Sequence, residues 1–125
     1  MTLPVEERIV IQGKVVASKE ELWVATSLTR FGWTFDYQVP FFGGWMISGG
    51  FVVDFVVHTV PLLTPLWING EYWHKGAQTE RDRVNQALLV SRIRGYFPAL
   101  ELWGEQLTDE NETEKSVLKI FGRNN

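Results

Sequence analysis

The chain has 125 residues and a mass of 14.4 kDa, 45% of it hydrophobic and 22% charged. That suits one globular domain with its own core and argues against disorder. With no cysteine, zinc knuckles, disulfide frameworks and thiol nucleophiles are excluded. At a net charge of −3 and a pI near 5.4, a nucleic-acid partner has to be met by locally gathered positive charge.

Residues 41–68 are very apolar, but Asp54, Pro61, Pro65 and several glycines interrupt them. A spanning helix needs about 20 apolar residues in a row. Glu6, Glu7 and Arg8 stand ahead of only a short apolar patch, which is not the layout of a secretion signal. The expectation is a soluble, cytoplasmic protein, or one in the cytoplasm of a host cell if the source is viral, with no membrane partner.

Residues 1–17 read as an arm with a short strand over Arg8–Gln12, ended by Gly13. Ser18-Lys19-Glu20-Glu21 has the form of a capping box, with the Ser18 hydroxyl on the Glu21 amide and the Glu21 side chain reaching back. Leu22, Ala25 and Leu28 follow at helical spacing and Gly32 ends the helix. Trp33–Val39, aromatic and β-branched, predicts a strand stopping at Pro40. Phe41–Gly50 holds four glycines and predicts a loop or wide hairpin turn. Its aromatic run Phe41-Phe42-Gly43-Gly44-Trp45-Met46 is open to three readings: core packing, a dimer contact, or a wedge against bases.

Phe51–Val57 predicts an apolar strand, Pro61–Pro65 a turn, and Leu66–Asn69 a short strand ending at Gly70. Glu71–Gln78 is a polar loop with Tyr72, Trp73 and His74. Thr79 can cap a helix from Glu80 to about Arg94, with Val84, Leu88 and Ser91 facing inward and Gly95 as the stop. Phe97–Trp103 predicts a further strand. Segment 108–125 is acidic at first, then Val117, Leu118, Ile120 and Phe121 suggest a small closing helix. Three strands joined by short turns form an antiparallel meander, and the crossover helix makes the fourth parallel to the third. The expected fold class is α/β: a small mixed four-stranded sheet flanked by helices, in the order α-β-β-β-α-β-α, as a single domain over 1–125.

Asp54 is the first candidate for chemistry, because an unpaired carboxylate is costly to bury and this one lies inside an apolar strand. Alternation alone also accounts for it, with Asp54 turned to water and Val53 and Phe55 to the core. Leu66–Asn69 then delivers a polar cluster, Asn69 to His74, to the sheet edge. A hard cation such as Mg²⁺ (or Mn²⁺) takes one or two carboxylates with carbonyls and water, which that corner can supply. His74 is either a general base near neutral pH or a solvated loop histidine. His58, four positions beyond Asp54, reads as structural.

Residues 75–94 carry five basic residues (Lys75, Arg81, Arg83, Arg92, Arg94) against Glu80 and Asp82, while residues 101–114 carry six acidic residues and no basic one. Such polarity can present a basic face to phosphates, with Lys75, Arg81 and Arg83 nearest the polar cluster. It also suits a solvated helix laced with ion pairs.

Taken in order, these residues resemble the very-short-patch repair (Vsr-like) endonucleases of the PD-(D/E)XK restriction-endonuclease-like superfamily. The resemblance runs from about Ser18 to Leu107. It rests on Glu21 in the entry helix, the Val53-Asp54-Phe55 strand, Gly70-Glu71-Tyr72-Trp73-His74, Arg81-Asp82 with Val84–Leu88, and Leu100–Trp103. It implies a metal-dependent DNA endonuclease or nickase, acting in DNA repair, restriction, or phage or mobile-element DNA processing, with DNA as partner and a homodimer as one possible assembly. Asp54 and the Ile68 carbonyl would bind Mg²⁺, His74 would deprotonate the attacking water, and Glu21 would order metal-bound water or hold the histidine. The sequence departs from the pattern at Trp67 and Asn69, where the superfamily carries an acid and a lysine and the repair enzymes carry a histidine in place of Asn69. The alternative is a nuclease-fold module without catalysis, acting as a DNA- or protein-binding component.

Overall fold

A computed structural model describes residues 10–69 and 77–125, with side chains in the second long helix from Asp82 onward. Two short strands, β1 (Val10–Ile11) and β2 (Lys14–Val15), form a hairpin. They are followed by α1 (Lys19–Arg30), β3 (Phe35–Phe41), β4 (Phe51–Val57), β5 (Thr64–Asn69), α2 (Ala77–Ser91), β6 (Leu100–Trp103) and α3 (Glu110–Phe121). The four long strands make one mixed sheet in the order β3-β4-β5-β6, antiparallel except for the parallel β5–β6 pair, in which Leu66 faces Leu100. That matches the expected order and the expected crossover.

Helices cover both faces. Val24 and Leu28 of α1 and Val117 of α3 pack with Phe35, Tyr37, Phe55, Leu66 and Leu102 on one side. Val90 of α2, with Ala87 beside it, packs with Phe41, Phe51, Val53, Val56 and Trp67 on the other. Burying a Val or Leu side chain in full contributes about 1.5–3 kcal/mol toward holding each helix on the sheet. The Arg30–Glu114 ion pair at 2.6 Å and the bond from Trp33 Nε1 to the Gly122 carbonyl at 2.9 Å tie α1 and its following turn to α3. Among the described residues, no helix is long and apolar enough to cross a membrane.

The β3 edge is closed by side chains. The Gln12 amide donates to the Phe35 carbonyl and accepts the Tyr37 N–H at 2.9 Å. Lys14 Nζ donates to the Tyr37 carbonyl at 2.7 Å and the Gln38 carbonyl at 3.1 Å. The small hairpin thus occupies hydrogen-bonding groups that an exposed edge leaves open to another chain.

Several expected boundaries are corrected. β3 runs through Pro40 to Phe41, because an edge strand tolerates a residue without an N–H. Thr64 and Pro65 belong to β5 and not to the turn, since Pro65 pairs only with Val56 and the parallel ladder to β6 begins one residue later. β6 starts at Leu100, not Phe97. α2 begins at Ala77, so Thr79 lies within it, and it ends at Ser91. Its inward face is also different: Val84, Leu88 and Ser91 are exposed, while Arg83, Ala87 and Val90 face the sheet. The closing helix is three turns long and begins inside the acidic segment, capped by Asp109, whose side chain accepts the Glu112 N–H at 2.8 Å. The acidic first turn suits a helix N-terminus.

Candidate functional site

β3 and β4 both change face at the same level. Phe35 and Tyr37 pack under α1 and α3, but Val39 and Phe41, of the same parity, pack under α2. On β4, Phe55 and Val57 pack under α1 and α3, and Phe51 and Val53 under α2. The crossing points are Gln38 and Asp54, which stand opposite each other between the Tyr37–Phe55 and Val39–Val53 pairs. Gln38 has φ +52°, a left-handed conformation that a residue with a side chain adopts only where its surroundings enforce it. Asp54 is half-buried. It is neither the water-facing half of a simple alternation nor a core residue.

β4 also parts from β5 at this level. Their ladder ends at the Phe55–Leu66 pair, while β4 stays paired with β3 to Phe51 and β5 stays paired with β6 to Asn69. Two side chains bridge the gap. Asp54 Oδ2 accepts the Ile68 N–H at 2.7 Å, and Trp67 Nε1 donates to the Val52 carbonyl at 3.2 Å. The N–H and C=O of one strand residue project to the same side, so the Ile68 carbonyl turns toward β4 as well.

On the α2 side, the Arg83 guanidinium lies over the Trp67 ring, 4.4 Å from its centroid. Burial lowers the Arg83 pKa, and the negative charges of Asp54 and Glu101 oppose that shift. Arg83 is therefore partly buried over Trp67, within electrostatic reach of both carboxylates, and is not a surface cation on a solvated helix. Glu101 is paired in register with Trp67, and its Oε2 accepts from Asn69 Nδ2 at 2.7 Å. Asn69 itself is buried.

On the opposite side, Glu21 is buried at the start of α1. The Ser18 hydroxyl caps the Glu21 amide at 3.2 Å as expected. The Glu21 side chain turns inward instead of back to the Ser18 amide, accepting from the Tyr37 hydroxyl at 2.8 Å and the Ser18 hydroxyl at 3.1 Å. Burial pushes the Glu21 carboxyl above the ordinary carboxylate range, against the two hydroxyl bonds that lower it. Burial likewise raises the Tyr37 phenol, and the negative charges of Glu21 and Asp54 add to that shift. Tyr37 thus bonds one carboxylate, Glu21, and feels the charge of the other, Asp54.

Of the residues singled out from sequence, Asp54, Ile68, Asn69 and Arg83 come together at the divergence of β4 and β5, whereas Glu21 is bonded to Tyr37 and Ser18 on the α1 side. His74, Lys75 and the Arg81 side chain lie outside the described residues. Among the described residues, no group of three or more His, Asp or Glu is arranged to hold a metal ion. The donors present at the divergence are oxygens, the Asp54 carboxylate and the Ile68 carbonyl, a hard set that fits Mg²⁺ better than a softer metal. His58 is structural as expected, with Nε2 at 3.1 Å from Asp36 Oδ2 and Nδ1 at 2.8 Å from Thr34 Oγ1.

Sequence reading missed Tyr37 and Glu101. The first needed the β3–β4 register, and the second needed the β5–β6 pairing to set it beside Trp67. A separate apolar hollow of about 770 Å³, bordered by Ile11, Leu22, Ala25 and Trp33, has Arg30 as its charged group, already bound to Glu114. No family model matches the chain, and no curated protein or solved structure matches it.

Proposed function

We propose that this chain is a metal-dependent DNA endonuclease or nickase of the restriction-endonuclease-like superfamily, with Asp54 as the carboxylate at its active centre. The observation that carries the reading is the bridge from Asp54 to Ile68 across the point where β4 and β5 diverge. It brings a carboxylate, a strand carbonyl and a stacked arginine to one end of the sheet. The order of helices and strands around that point also agrees with the resemblance from Ser18 to Leu107.

A bound Mg²⁺ would lower the pKa of a water ligand and offset charge on the phosphoryl oxygens. The chain's own residues do the rest. Asp54 and the Ile68 carbonyl supply oxygen donors, Arg83 supplies positive charge for a phosphate, and Trp67 fixes the guanidinium plane. In this reading His74 is the base that takes a proton from the attacking water. Glu21, held by Tyr37 and Ser18, acts as a positioning residue.

One observation favours a second reading. At the strand positions where an acid and a lysine are expected stand Trp67, under Arg83, and Asn69, clamped to Glu101. That arrangement suits a module that binds DNA or protein without cutting. The test incubates supercoiled plasmid and branched DNA with Mg²⁺ or Mn²⁺. Nicking by the parent, reduced at least about a hundredfold in Asp54→Ala and His74→Ala, supports the enzyme, because a general base contributes about 10²–10⁴-fold. DNA binding without cleavage supports the second reading, and nicking that survives both substitutions removes the mechanism.

A further inference from the structure

The half-buried Arg83 guanidinium rests on a fixed platform. It lies 4.4 Å from the centroid of the Trp67 ring, which is 1% exposed and tied through its indole N–H to the Val52 carbonyl. The next residue along β5, Ile68, gives its N–H to Asp54. The residue in register with Trp67 on β6, Glu101, accepts from Asn69. A guanidinium on this ring is thus within electrostatic reach of both carboxylates, and their charges oppose the lowering of its pKa by burial.

That placement has two consequences for charge. Asp54 and Glu101 are half-buried carboxylates, and a positive charge beside them offsets the cost of taking them from water. A divalent cation drawn to Asp54 and the Ile68 carbonyl enters the same field. It meets the guanidinium there as a like charge, in surroundings that screen less than bulk water. Stacking on a ring face leaves the N–H donors of a guanidinium at its edge, free in direction to meet phosphate oxygens. A phosphate engaged in that way brings the negative charge that lets both cations stay.

We propose that Arg83 is a resident counter-charge of Asp54 that couples the two ligands: it holds the affinity for a divalent cation down until a DNA phosphate engages the guanidinium. This rests on the metal-dependent reading above and adds its regulation. The cation is then held tightly on the DNA-bound protein and loosely on the free one. By linkage, a bound cation strengthens phosphate binding by the same factor.

The test titrates Mn²⁺, a hard divalent probe, into the full chain by calorimetry, with and without a short DNA duplex. The proteins are the parent, Arg83→Met, Arg83→Lys and Asp54→Asn, and Mn²⁺ held by Asp54→Asn with the duplex is subtracted. Methionine keeps an unbranched stem over Trp67, so Arg83→Met is expected to melt near the parent.

Without DNA, Arg83→Met should bind Mn²⁺ at least about tenfold more tightly than the parent, and Arg83→Lys within about threefold of it. The duplex should raise the parent's Mn²⁺ affinity and bring the Arg83→Met advantage below about threefold. An Arg83→Met protein that binds Mn²⁺ no more tightly than the parent would overturn the proposal. So would an Arg83→Lys protein that behaves like Arg83→Met, since charge would not be the cause. A parent affinity that the duplex leaves unchanged also overturns it, and that arm stands even where Arg83→Met fails to fold. Nicking by a parent that shows no such coupling leaves the nuclease standing and removes the coupling. Coupling in a parent that never nicks keeps the role of Arg83 and removes the nuclease.

Discussion

The Ile68 N–H is taken by the Asp54 carboxylate, 2.7 Å away, at a level where the β4–β5 ladder has already ended. A side chain does there what a strand backbone does elsewhere. Removing it has a structural cost that must be separated from any chemical one. Asp54→Ala leaves the Ile68 N–H without this acceptor and should lower stability by about 1–3 kcal/mol in urea unfolding. Asp54→Asn keeps a carbonyl oxygen for the N–H and should stay within about 1 kcal/mol of the parent. Equal losses in the two variants would show that the charge, not the hydrogen bond, holds the strands.

Glu21 gives a stability signature that depends on pH. Its folded pKa is raised above the ordinary 4.5 by burial, so its contribution to stability is fully present below 4.5 and is lost as pH rises through the folded value. At pH 7 the ionised carboxylate is therefore carried at a cost. Glu21→Gln keeps an oxygen for the Tyr37 hydroxyl and removes the charge. The variant should be at least as stable as the parent at pH 7, and its advantage should shrink as the pH falls toward 4. Urea midpoints at the two pH values decide it. A variant less stable at pH 7 than at pH 4, relative to the parent, would mean that the two hydroxyls outweigh burial.

The facing of α2 can be tested with two residues two positions apart. Val90 is fully buried and Leu88 is 53% exposed. Val90→Ala should cost about 1–3 kcal/mol, whereas Leu88→Ala should stay within about 0.5 kcal/mol. Thermal or urea unfolding of the two variants measures both. The reverse ranking would restore the helix face expected from sequence.

Much of the fold was legible because the signals were local. Ser18 and Glu21 opened α1 where the capping pattern put it, and the apolar run Phe51–Val57 is β4 to the residue. The crossover helix and its parallel strands followed from chain order. What failed depended on neighbours. Pro40 and Pro65 looked like strand breakers until their places at an edge and ahead of a ladder made the missing N–H harmless. The face of α2 was misjudged because Arg83 looks polar in a periodicity count, yet its guanidinium is stacked on Trp67 and takes the inward position that Val84 was expected to hold. At the site, Asp54 stood out as a carboxylate in an apolar strand. Tyr37 and Glu101 did not, since only cross-strand register brings them near it.

The most direct test of the central claim is the nicking rate of Asp54→Asn with Mg²⁺, measured beside a parent of matched melting temperature. This variant retains an acceptor for Ile68 and loses only the charge that a cation needs. The account expects the parent to nick supercoiled plasmid and the variant to be slower by at least about a hundredfold, about 2.7 kcal/mol in the barrier. An Asp54→Asn protein that nicks as fast as the parent would contradict it.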